Sequence, residues 1–284
     1  MVAEMDAASF KTNRLLRKRS WWLLGRKGVY RKMLVVSALP LVVNVVFWVL
    51  ALMGGTALSL STHRVDHILQ QTDAVSNGTL WLVVNLIVST VVGVITGYAA
   101  LEIQRSEGKN FEPGAVMARS LAWRYVLGTV MISVTIFIME MFVFLAAMLL
   151  AAIAVAVVVT PGQGFSLVGP AVFILVLAAG GIVMLAVYLP FAQTRFLMKD
   201  AIDHDRDWTL FGLMKESRAL MRGFKMDLLG LYLSMWYFLF LDLLTAGVGG
   251  LFFAPYIDMN LAGFYENLLR YRDLRRSLGM TASA

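Results

Sequence analysis

Glu140 stands in the run Phe137-Ile138-Met139-Glu140-Met141-Phe142, a carboxyl group surrounded in sequence by apolar side chains. A charge near the centre of a bilayer costs at least ~2.5 kcal/mol. Such a group faces a bundle interior, pairs with a cation, or keeps its proton. Two chemistries fit it: a proton- or cation-binding carboxylate in a pathway, or a protonated acid that hydrogen-bonds another helix and holds the bundle together. A second set of polar residues, Tyr256, Asp258 and Asn260, follows Pro255 directly. Proline removes a backbone donor and disturbs a helix, so these side chains satisfy freed backbone groups or line a wet cavity. Asn44, inside another apolar run, joins them as a candidate. Asp242 precedes the turn Thr245-Ala246-Gly247-Val248-Gly249-Gly250, where a carboxylate caps or bonds turn amides.

Other polar patterns carry less. His63 and His67 are four residues apart with Asp66 between them, which on a helix puts two imidazoles on one face. A metal needs further ligands, and the neighbouring sequence supplies none. Asp203, Asp205 and Asp207 imitate the start of a calcium loop, but Trp208 and Met214 occupy the positions that require Gly and Glu. Asn77-Gly78-Thr79 matches a glycosylation sequon at a membrane edge. No G-x-S-x-G, phosphate-loop, dinucleotide or H-E-x-x-H motif is present. The expectation is a protein that is not an enzyme and holds no cofactor or metal.

The elements that must position these groups follow from composition. The chain has 284 residues, 59% hydrophobic and 15% charged, with a net charge of +7 and a mean hydropathy of +0.73. Soluble domains carry about 25% charged residues, so this chain calls for lipid as its solvent. Its cations flank apolar runs, where they face cytoplasm and anionic headgroups; no nucleic-acid motif accompanies them. The absence of cysteine excludes disulfides, thiolate metal sites and cysteine nucleophiles. The N-terminus does not read as a cleavable signal.

The predicted architecture is all-α and polytopic, about six transmembrane helices with both termini cytoplasmic, plus interfacial amphipathic helices. Residues 1–31 form a basic segment in which Phe10, Leu15, Leu16, Trp21, Trp22, Leu23 and Leu24 predict a short helix in the headgroup plane. The membrane domain is 32–269 and the basic tail 270–284. Spans are predicted at about 32–53, 80–101, 127–158, 167–191, 227–244 and 248–268, since a crossing takes about 20 apolar residues. Pro40 kinks the first span. Ser89, Gly93 and Gly97 put a small-residue stripe on the second, and 54–78 is an outer loop. The loop Gln104–Arg119 returns inside. Leu121–Val126 enters along the interface before the long third span. Pro170, Gly180, Gly181 and Pro190 bend or break the fourth. A cytoplasmic amphipathic helix, about 207–222, sets Leu210, Leu213, Met214, Leu220 and Met221 opposite Lys215, Glu216, Arg218 and Arg222, and ends at Gly223. Spans five and six form a closing hairpin, with arginines after it.

Within 195–269, Ser217, Met221, Gly223 and Lys225 are followed by Leu233-Ser234-x-Trp236, Thr245-x-Gly247-x-Gly249, Pro255-Tyr256 and Phe264-Tyr265-x-x-Leu268. This arrangement resembles a bacterial integral-membrane family called domain of unknown function 975. The resemblance implies a multi-spanning bacterial membrane protein and supplies no activity, ligand or catalytic residue. Relatives near peptide-export and immunity systems imply an accessory, assembly or immunity-type factor. The expected partners are a bilayer with anionic headgroups and another membrane protein or a second copy of the chain, with no nucleic acid. The alternative is a small transporter or channel using Glu140 and the 255–260 region as its polar path.

Overall fold

The computed structural model describes residues 12–39, 93–109, 111–158, 168–245 and 248–278, with isolated positions between 42 and 90. Every regular element among them is helical. Helix α1 is Asn13–Leu24, and α2 and α3 are described over 29–39 and 93–106. They are followed by α4 (Pro113–Ser120), α5 (Trp123–Val158) and α6 (Val168–Tyr188). A 3-10 turn, Leu189–Phe191, leads into α7 (Thr194–Asp203) and α8 (Leu210–Leu220). The chain closes with α9 (Lys225–Leu233), α10 (Trp236–Leu244) and α11 (Val248–Ser277). Among the described residues, two stretches are long and apolar enough to cross a membrane, Trp123–Ala154 and Ala171–Asp203. Asn44, Pro40, His63, His67, Ser89, the outer loop 54–78 and the turn 161–164 lie outside the described residues.

The chain divides into two compact units: Met1–Val130 with Gly230–Ala284, and Met131–Leu229. The first is organised on α11. Its 30 residues make a rod of about 45 Å at 1.5 Å per residue, longer than the predicted sixth span and continuous through Pro255. Tyr256, Met259, Ala262, Phe264, Tyr265 and Leu268 of this rod are buried. Helix α1 packs on it through Leu16, Leu23 and Leu24, and the Trp21 and Tyr256 rings lie 4.7 Å apart. Phe238 of α10 meets Tyr256 edge-on at 5.4 Å and Phe253 at 4.6 Å. The N-terminal helix thus spends its apolar face on protein, while Leu15, Trp21 and Trp22 stay exposed.

The predicted single helix over 227–244 is two helices. Ser234 Oγ donates to Leu231 O at 2.7 Å, and Met235 N–H donates to Tyr232 O at 2.9 Å. Three-residue steps thus replace the four-residue ladder at this point. Each piece has 9 residues, about 13 Å, so a crossing here needs both. The loop expected from Gln104 starts later. Gln104 and Arg105 belong to α3, and the turn is made by Glu107 and Gly108, both at positive φ (53° and 75°).

In the second unit α5 and α6 cross at Ala147 and Gly180. A Cβ on Gly180 would stand 2.6 Å from the Ala147 Cβ, so glycine allows the approach. Gly180 and Gly181 do not interrupt α6; the break falls at Pro190. Trp123–Val126 belongs to α5 itself and forms no separate entry segment. The amphipathic region ends at Gly223 (φ 88°) as expected, but a second helix, α7, precedes it. The apolar stripe of α8, Leu213, Met214 and Leu220, is buried against protein.

Candidate functional site

The polar residues of α11 point to different neighbours. Asp258 lies beside Thr96 of α3, whose hydroxyl donates to Gly93 O at 2.7 Å. About two turns further along α3, buried Gln104 donates from Nε2 to Met259 O at 2.9 Å. Gly263 makes room for it, since a Cβ there would sit 3.0 Å from that nitrogen. Below this, Arg105 bonds Glu266 at 2.6 Å. Helix α3 therefore meets α11 through two neighbouring polar bonds, from Gln104 and Arg105.

On another side of α11, Asn260 is fully buried and donates to Tyr256 O at 2.7 Å. That carbonyl lies one turn before Asn260 and is not the one freed by Pro255, which is Leu251 O. The Asn260 Oδ1 is buried and has no hydrogen-bond partner among the described residues. Nearby on α1, Arg17 reaches Ser234 O at 3.5 Å. Arg19, half-buried, is held below the ordinary arginine value by burial and by Arg270, with Glu107 and Glu266 acting the other way.

Asp242 and Thr245 cap α11. The Gly250 amide donates to Asp242 Oδ1, and the Gly249 amide donates to Thr245 Oγ1 at 2.7 Å. A carboxylate at a helix N-terminus also meets the positive end of the helix dipole. Both glycines leave room for their capping oxygens. A Cβ on Gly250 would lie 2.8 Å from Asp242 Oδ1, and one on Gly249 would lie 2.6 Å from Thr245 Oγ1.

Glu140 belongs to the other unit, half-buried on α5. Arg195 of α7 is the cation whose charge reaches it, and the guanidinium bonds Ser133 Oγ at 3.2 Å. Seven residues separate Ser133 from Glu140, about 10 Å of helix. Of the sequence candidates, Tyr256 and Asn260 are brought together and Asp258 shares their helix. Asp242 is a cap at the start of that helix, Glu140 stands in a separate unit, and Asn44 is not described. Thr96, Gln104, Ser133 and Arg195 were missed as partners. Gln104 had one usable signal, its place three residues after Leu101 at the end of an apolar run.

No group of three or more metal-ligating side chains occurs among the described residues. A family model, Protein of unknown function (DUF975), matches residues 56–272. No curated protein and no solved structure matches the chain. Several residues that carry the resemblance make structural bonds here: Thr245 with Gly249, Ser234 with Leu231 and Ser217 with Pro190.

Proposed function

From the premise that this chain belongs to the DUF975 family of unknown function, we propose that it is a non-enzymatic, multi-spanning protein of the bacterial cytoplasmic membrane. It acts as an accessory, assembly or immunity-type factor that binds other membrane components. The observation that carries this reading is the exposed apolar surface of α5 and α6. Phe142, Leu149, Ile174, Leu175 and Ile182 are each at least 60% exposed, on helices whose side chains are apolar almost throughout. Patches of this extent on a soluble monomer would drive association; lipid or a partner's helices satisfy them. The six-span arrangement with both ends cytoplasmic accounts for the placement of basic residues beside each apolar run. The fifth crossing then uses α9 and α10 together.

Binding is favoured over catalysis because the polar contacts described are bonds within and between helices of the protein itself. The partners on this reading are anionic lipid and a second membrane protein or copy of the chain. Tags at the two termini of intact cells test the topology: labelling from opposite faces would sink the even number of spans. Cross-linked purification tests the role, and a defined membrane partner is the expected result.

A small transporter or channel is the second reading, favoured by Glu140 in the field of Arg195 and by the unpartnered Asn260 Oδ1. Glu140→Gln in proteoliposomes separates the two. Loss of a proton- or ion-dependent flux with insertion intact would replace the binding factor by the transporter.

A further inference from the structure

Helix α8 turns its faces in a way that amphipathicity alone does not reveal. Leu213, Met214, Ser217 and Leu220 are buried, and Ser217 Oγ donates to Pro190 O at 2.8 Å inside the protein. The opposite face carries Phe211, Lys215, Arg218 and, in the turn that continues the helix, Arg222, all exposed. Steps of four, three and four residues put these side chains within a narrow arc, at 100° per residue. Phe211 is 77% exposed. The start of α8 is held by Thr209 Oγ1, which accepts from the Gly212 amide at 3.1 Å. The flanking acid, Glu216, is taken by Arg206 at 3.1 Å. No ion pair reaches Lys215, Arg218 or Arg222 among the described residues.

The Ser217–Pro190 bond decides where this stripe lies. Pro190 stands in the 3-10 turn that follows α6, and α6 has 21 residues, about 32 Å of helix, close to the ~30 Å hydrocarbon thickness. A helix stapled to that end is at headgroup depth if α6 crosses the membrane. Cations there meet phosphate, and a lone exposed phenylalanine beside them can enter the acyl boundary. We propose that the α8 stripe of Phe211, Lys215, Arg218 and Arg222 is a binding site for the phosphate headgroups of anionic phospholipid. This rests on the membrane reading above. The apolar stripe is not the lipid-facing side; it clamps the break at Pro190, and the cationic side is the one left to bind.

The test uses the full chain in detergent, titrated with phosphatidylglycerol and phosphatidylcholine and followed by native mass spectrometry. One cation near an anionic surface is worth about 5-fold in affinity, so Lys215→Gln/Arg218→Gln/Arg222→Gln should lose roughly 100-fold for phosphatidylglycerol. Arg272→Gln/Arg275→Gln/Arg276→Gln, with the same change of charge, should lose far less. Arg218→Gln alone should lose about 5-fold, and it serves should the triple variant fold poorly. Equal losses in both triple variants, or none in the stripe variants, would overturn the site. So would a stripe that binds polyglutamate but shows no preference for phosphatidylglycerol, because the occupant would then be an acidic protein. Alkaline carbonate extraction keeps the two readings apart. Release of the wild-type chain from membranes removes the membrane reading itself, whereas a retained chain with unchanged stripe variants removes only the headgroup site.

Discussion

Gly180→Ala tests the crossing of α5 and α6 most directly. The new Cβ would stand 2.6 Å from the Ala147 Cβ, whereas carbon atoms pack at about 3.5–4.0 Å. The helices must part by roughly 1 Å at the crossing, and overpacking of this kind costs about 1–3 kcal/mol. Alanine's better helix propensity, worth up to about 1 kcal/mol over glycine, offsets part of that. The expected net loss is about 1–2 kcal/mol. Ala147→Gly alone loses propensity and a methyl contact, again about 1–2 kcal/mol. The exchange Ala147→Gly/Gly180→Ala has one glycine and one alanine as before, with the methyl group now supplied by the other helix. Its stability should return to within about 0.5 kcal/mol of wild type. Reversible unfolding of the detergent-solubilised protein by increasing sodium dodecyl sulfate, followed by circular dichroism, gives all four values. A neutral or stabilising Gly180→Ala, or a double variant no better than the sum of the singles, would refute the close crossing.

The cap at the start of α11 predicts a change of sign. Gly250→Ala should destabilise the wild-type chain by displacing the Asp242 carboxylate, yet be neutral or stabilising by up to about 1 kcal/mol once Asp242→Ala is in place; the same unfolding titration reads both. Gln104→Leu should cost about 1 kcal/mol through loss of the bond to Met259 O, and Gly263→Ala should add little to it, because their clash disappears together. Ser217→Ala should lower stability by about 1 kcal/mol. It should also raise hydrogen exchange around Leu189–Phe191, where its hydroxyl is bonded; unchanged exchange there would contradict the staple.

Long apolar runs were legible because length and composition alone distinguish them: α5 and α6 each correspond to a predicted span. The turn chemistry of Asp242 and Thr245 was legible too, since short oxygen-bearing side chains before a glycine pair have few other uses. The break at Ser234 was not. Neither proline nor glycine marks it, and the side chain responsible is a serine of the kind spanning helices ordinarily carry. Gln104 was misread because a polar residue at the edge of an apolar run looks like the first residue of a loop. Periodicity gave the two faces of α8 correctly, but a period says nothing about which face finds a partner. That required Ser217 and Pro190 to be seen together, across 27 residues of sequence.

Helix α11 carries its contacts in phase along one uninterrupted shaft. Gly250 meets Asp242 near its start, Tyr256 meets Trp21, Met259 meets Gln104 and Glu266 meets Arg105. One inserted residue after Ile257 would swing everything beyond it by about 100°, turning Glu266 and the backbone at Met259 away from α3 together while leaving the Asp242 end untouched. The helix therefore behaves like a key with its notches cut at fixed angles, to which no length can be added or removed along the middle.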